Sequence, residues 1–236
     1  MSEWAKKRFW KETTYEATEG GYKVLLDGRG VKTPAKAPLV VPTEAMAKAV
    51  VEEWDAQDEK IDPSTMPVTR SVNAAIDKVA VQHGEVADML AEYGGSDLVC
   101  YRATTPEEWI ARQAAAWDPL LDWAAETFNA RLKPVAGVMF EAQDADALSK
   151  LSEKTHGFDN FELAAFHDLV GISGSLIIGF AATCDLHPID RLWELSRIDE
   201  QWQEDQWGRD EDAAEEAEKK RQAFMHAYTF YKLSKD

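Results

Sequence analysis

Residues 21–34 read GYKVLLDGRGVKTP, and the Asp27-Gly28 pair in their middle decides how the fold begins. Tyr22, Val24 and Leu26 alternate with Lys23 and Leu25 ahead of that pair. Both central positions of a type I′ turn need positive φ, which Asp-Gly supplies, so the stretch predicts a β-hairpin. The RFWKETTYEA segment before it and Leu39–Val41 after it read as further strands of a small antiparallel sheet.

Beyond the sheet the pattern changes period. Pro42-Thr43 introduces a helix from about Glu44 to Lys60, with Met46, Val50 and Trp54 at helical spacing. The next segment, IDPSTMPVT, holds Pro63 and Pro67, which interrupt helix and mark the expected boundary between residues 1–67 and 68–236. Val72, Ile76, Val79 and His83 form one helical stripe, and Val86, Met89, Leu90 and Tyr93 another, up to Gly94-Gly95. Thr105-Pro106-Glu107-Glu108 reads as an N-cap, a first-turn proline and a capping-box glutamate, with Trp109, Gln113 and Trp117 following on one side. Asp118-Pro119 predicts a kink or restart, and PVAGVMF a short extended piece. Helices are expected at about 144–155 and 160–170, a buried one in SLIIGFAATC, one from His187-Pro188-Ile189 to about Trp207, and a last from about Asp210 to Leu233. The expected class is α+β: a small antiparallel sheet with a packed helix at the N-terminus, then a mostly helical domain.

Composition narrows the function. The 236 residues carry 26 basic and 43 acidic side chains, a formal charge of −17, which is the wrong sign for nucleic acid or anionic lipid. The apolar stretch Leu169–Cys184 is 16 residues long and interrupted by three glycines, so membrane insertion is not expected. Cys100 and Cys184 have no CxxC spacing, and a reducing compartment suits them. MSEWAKKRFWKE lacks the apolar run of a signal peptide and the acid-poor character of a transit segment, so the chain reads as starting mature.

Catalytic signatures are poor. Gly171-Ile172-Ser173-Gly174-Ser175 approaches GxSxG, yet Ser175 stands at the final glycine and helices flank the motif. Gly28–Thr33 lacks the third glycine and the helix of a phosphate loop. His83, His156, His167, His187 and His226 show no ligand spacing, so neither metal nor cofactor is expected.

The segment DEQWQEDQWGRDEDAAEEAE, 199–218, holds ten carboxylates against one arginine, a net −9. Its bland reading is a solvated helix face. Within the Pro188 helix, however, the stripe of Ile189, Leu192 and Trp193 runs on through Ser196, Asp199 or Glu200, Gln203 and Trp207. Polar groups in an apolar seam need partners, and Arg191 or Arg197 could serve. Trp202 and Trp207, set among Gln201, Gln203, Glu204 and Gln206, suit either core packing or contact with a partner.

Taken in order, RFWK (8–11), LDGRGVKTP (26–34), LVVPT (39–43), EEWDAQ (52–57), IDPSTMPVTR (61–70), AAID (74–77), SDLVCYRA (96–103), WDPLLDW (117–123) and LSRIDEQWQEDQWG (195–208) resemble the assembly chaperones of the F-type ATP synthase, in particular those of its α subunit. Ser96 departs from the threonine expected there, and a mitochondrial transit segment is missing. The resemblance implies a non-enzymatic protein, monomeric when free. It would bind the unassembled α subunit, shield the surface later covered by a β subunit, and work in the bacterial cytoplasm or, for a mature eukaryotic member, the mitochondrial matrix. It needs no nucleotide hydrolysis, because the β subunit can displace it by mass action. The expected contact residues are Glu200 first, with Asp199, Trp202, Gln203 and Trp207, and then Trp54 and Asp55 in a second region. Two other classes compete. A small-molecule enzyme using Glu200 with an arginine needs a concave pocket, and an acidic nucleic-acid mimic needs a regular charged stripe, which the intervening tryptophans disrupt.

Overall fold

A computed structural model describes residues 7–235. β1 (Thr13–Thr18) and β2 (Gly21–Leu26) pair antiparallel, with Thr13 opposite Leu26 and Thr18 opposite Gly21, and the expected hairpin forms at the other end of β2, where the chain turns back with Leu26 opposite Arg29 and Leu25 opposite Gly30. Asp27 and Gly28 both take positive φ, 47° and 76°. The Asp27 carboxylate also accepts hydrogen bonds from the Lys11 and Glu12 amides, 3.0 Å each, so the turn holds the incoming chain. The far edge of β2 is shared by two short strands, β3 (Arg29–Gly30) and β4 (Val40–Val41). A Cβ on Gly21 would lie 2.0 Å from the Val41 carbonyl oxygen, so only glycine lets β4 approach there. Val24, Leu25 and Leu26 are all buried, which means that both faces of β2 are covered at that end.

α1 (Glu44–Asp55) starts where the Thr43 hydroxyl accepts from the Met46 amide, 3.1 Å, and packs on β1 and β2 through buried Met46, Ala47 and Val50. It ends five residues before the expected Lys60. Gln57, 4% exposed, explains the stop: its side-chain amide donates to the Glu53 carbonyl and Thr65 hydroxyl and its oxygen accepts from the Asp62 amide, folding the chain back. α2 (Pro67–Asp77) begins beside the Glu53 carboxylate, which accepts from the Val68 and Thr69 amides at 2.6 and 2.7 Å. A carboxylate from another helix thus supplies the cap that Met66 cannot.

The rest is helical apart from a two-residue parallel ladder between β5 (Tyr101–Arg102) and β6 (Val135–Ala136). After α3 (His83–Ala91) comes α4 (Glu107–Phe128), for which Pro106 is the N-cap residue without any side-chain cap bond, so the expected capping box is not used. α4 also continues through Pro119 without restarting. Pro119 and Ala115 are both exposed, so the carbonyl that the proline leaves unbonded faces water while buried Trp117, Leu120 and Leu121 keep the helix packed. α5 (Ala145–His156), α6 (Asn160–Ser173) and α7 (Leu176–Thr183) follow, and every residue from Leu176 to Ala182 is buried, as its all-round apolar sequence requires. Ser175 is the N-cap of α7, its hydroxyl accepting from the Ile178 amide at 3.0 Å, which accounts for the serine-glycine motif structurally. The chain ends in α8 (Ile189–Ser196), α9 (Ile198–Trp207) and α10 (Glu211–Lys235).

The class is α+β. Contacts group the chain into two compact units. One runs through His83 and takes in Asp159–Ala165 and the residues from Thr229 on; the other comprises Gly84–Phe158 and Phe166–Tyr228. The first is built around Val24, Leu39, Val41, Met46, Val50 and Val72, and the second around Trp117, Leu120, Leu151, Phe166, Ile177 and Leu192. No helix among the described residues is long and apolar enough to cross a membrane.

Candidate functional site

The helix expected from Ile189 to Trp207 is two helices, broken at Arg197. The cause lies on α4. The Trp117 indole N–H donates to the Leu195 carbonyl at 2.8 Å, taking the acceptor that a continuous helix would offer to the Asp199 amide. The Ser196 hydroxyl donates to the Trp193 carbonyl at 2.7 Å on the same turn. α9 therefore starts afresh at Ile198.

One side of α9 is strapped to α4. The Asp199 carboxylate accepts from the Gln113 side-chain amide at 2.6 Å and from the Trp109 indole at 3.0 Å. Gln113, 1% exposed, also accepts from the Ala103 amide at 2.7 Å, so this network is anchored beyond the two helices. The rings of Trp109 and Trp202 stack with centroids 6.0 Å apart and planes within 3°. Arg112 closes the seam with an ion pair to Asp205 at 2.6 Å and a hydrogen bond to Gln201 at 3.3 Å. Asp199 and Trp202 are thus half-buried residues with intramolecular partners.

The opposite side carries Glu200, Gln203, Glu204 and Trp207, spaced as i, i+3, i+4 and i+7. Gln203 and Trp207 are exposed, Trp207 by 79%. Glu200 is half-buried and pairs with Arg197 at 2.7 Å, and the Arg197 guanidinium lies 5.6 Å from the centre of the Trp193 ring. An indole of that size left in water at a helix end is the kind of group that marks a contact surface. Beside it, α9 and α10 line a cleft of about 330 Å³ whose walls include Trp193, Arg197, Gln201, Glu204, Ala214 and Ala217.

Trp54 and Asp55 lie in the other unit. The half-buried Trp54 ring packs edge-on to Trp10 with centroids 5.2 Å apart, and its indole nitrogen is buried without a hydrogen bond to any of the described residues. The exposed Asp55 carboxylate accepts from Arg8 and from the Thr13 hydroxyl, 3.4 Å each, and the Arg8 guanidinium also donates to the Asp55 carbonyl at 2.8 Å.

Three residues that organise the site, Trp109, Arg112 and Gln113, were not among the expected contacts. Gln113 had a sequence signal: a polar amide in the middle of the Trp109–Trp117 stripe has to find a partner. Among the described residues no three His, Cys, Asp or Glu side chains are placed to hold a metal. Both cysteines are free, and burial pushes the Cys100 thiol up to about 12.

Comparison with known proteins adds an independent finding. The sequence profile described as ATP12 chaperone protein matches residues 7–125. The mitochondrial protein atp12 of Schizosaccharomyces pombe is 28% identical over 229 residues, covering 89% of this chain and 76% of that one. The crystal structure of Atp12 from Paracoccus denitrificans superposes with a TM-score of 0.95 at 46% identity, over 98% of this chain and all of the other. A point mutant of the Paracoccus protein gives 0.96 at the same identity. A protein of Agrobacterium tumefaciens gives 0.90 at 39% identity, over 98% of this chain and 86% of that one.

Proposed function

Because the chain belongs to the ATP12 chaperone protein family, we propose that it is an assembly chaperone of the F-type ATP synthase that binds the unassembled α subunit and shields the surface a β subunit later covers. The chaperone family also displaces the competing reading of a small-molecule enzyme built on Glu200. The observation that carries the site is the two-sidedness of α9: Asp199 and Trp202 spend one side on α4, and Glu200, Gln203 and Trp207 are left on the other. Glu200, Gln203 and Trp207 touch the client, and Asp199 and Trp202 set the angle at which they are offered. Trp54 and Asp55 form a second, lesser contact.

An α subunit without neighbours exposes apolar patches that aggregate. A chaperone that binds them more weakly than the β subunit does protects them and is then displaced without hydrolysing anything. Such a protein is a monomer when free and works wherever α subunits are made, in the bacterial cytoplasm or the mitochondrial matrix.

Glu200→Lys tests the site. Binding of purified α subunit to the immobilised protein is expected to weaken about tenfold or more, while the circular dichroism melt stays at the wild-type position. Unchanged binding would remove Glu200 from the contact; failure of the wild type to hold the α subunit would remove the client.

A further inference from the structure

The cleft between α9 and α10 has a charge balance that its lining alone does not reveal. Arg197 is occupied by Glu200 at 2.7 Å, and Glu218 by Arg221 at 2.9 Å. That leaves Glu204 and Arg209 as the lining charges with no ion-pair partner among the described residues. They are not evenly matched. Glu211, Asp212 and Glu216 on the adjoining turns of α10 are likewise without a cation, and the segment 199–218 carries ten carboxylates against Arg209 alone. The lining itself balances two cations, Arg197 and Arg209, against two carboxylates, Glu204 and Glu218, so the cleft owes its net negative surroundings to these acidic residues of α10.

The apolar part of the lining suits a long cationic side chain. Trp193 is 8% exposed, and Ala214 and Ala217 put only methyl groups into the space. Lysine and arginine bury their stems along such surfaces while the charged head stays near water and a carboxylate. A cavity of about 330 Å³ has room for such a side chain with its neighbours.

From the cleft, its apolar bed and its charge, we propose that it seats an arginine- or lysine-bearing segment of the client, with Glu204 as the charge anchor and Trp193, Ala214 and Ala217 as the bed. The proposal rests on the chaperone reading above and adds what the client must present: a basic side chain with an apolar flank. A client segment rich in carboxylates is disfavoured by the same field.

The test measures binding of purified ATP synthase α subunit to four forms of the full chain. Wild type should bind. Glu204→Lys, which reverses the anchor, and Ala217→Trp, which fills the bed, should each weaken binding about tenfold or more. Glu153→Lys, at an exposed position of α5 outside both the cleft lining and the acidic segment 199–218, makes the same change of net charge and should change binding less than about twofold. Equal effects of Glu204→Lys and Glu153→Lys would overturn the cleft while the chaperone reading stands. Absence of binding by the wild type would overturn the α-subunit reading, and the cleft proposal with it. Should Ala217→Trp fail to fold, Glu204→Gln replaces it, with a loss smaller than that of Glu204→Lys; full binding by both Glu204 variants would be fatal to the proposal.

Discussion

Asp97 is wholly buried, and its two carboxylate oxygens accept from the Val99 and Ile177 amides, 3.1 Å each. Ser175 adds a hydrogen bond from its side chain, so the carboxyl sits at the start of α7 among donors. Burial outweighs these bonds and raises its pKa from 3.8 to about 6. The sign of the pH effect follows. Between these two values the folded chain holds the proton more tightly than the unfolded chain, so this group's contribution is largest at low pH and is lost as pH rises through about 6. Asp97→Asn cannot titrate. The stability of wild type relative to that variant should therefore fall by about 1 kcal/mol between pH 5.2 and 7.5, a range above the pI of about 4.7. Urea melts of the two proteins at both pH values check it, and a constant difference would show that Asp97 stays ionised. Sequence marked Asp97 only as part of the SDLVCYRA block, because burial of a carboxylate depends on what folds over it.

At the scale of elements, the α8–α9 break is the feature on which the site depends. Periodicity read Ile189–Trp207 as continuous, and local propensity would have kept it so. One indole N–H, 78 residues away in sequence, redirects the Leu195 carbonyl. Trp117→Phe keeps most of the ring and removes that donor, so a loss of about 1–3 kcal/mol is expected, measured by thermal or denaturant melts. On the proposed reading the α subunit should also bind less well, because a rejoined helix would present Glu200 and Trp207 in another direction. Full stability would mean that the Leu195 carbonyl is satisfied without the indole. The hairpin at Asp27-Gly28 is the opposite case: it was legible because a type I′ turn is specified by the two residues inside it. Pro119 falls between the two. A kink or restart was expected there, yet its exposed position leaves the unbonded carbonyl to solvent and the helix continues.

At the scale of the whole molecule, 43 acidic against 26 basic residues set a long-range field of one sign. Association with a client that presents basic groups should be steered by it, so the association rate should fall about threefold or more between 50 and 500 mM NaCl. Stopped-flow or surface-based kinetics would measure this, with the dissociation rate changing less. A salt-independent rate would mean that the contact is essentially apolar. The class, the order of elements and the negative charge were readable from sequence, since composition and short-range periodicity carry them. The candidate site was drawn from the acid- and tryptophan-rich run 199–218. The division of labour inside that run belongs to the tertiary structure. Whether Asp199 meets solvent or Gln113, and whether Trp202 faces a partner or Trp109, depends on contacts 86 and more residues apart. A helical period tells which residues share a face, and only the packed neighbours decide which face is left to meet another protein.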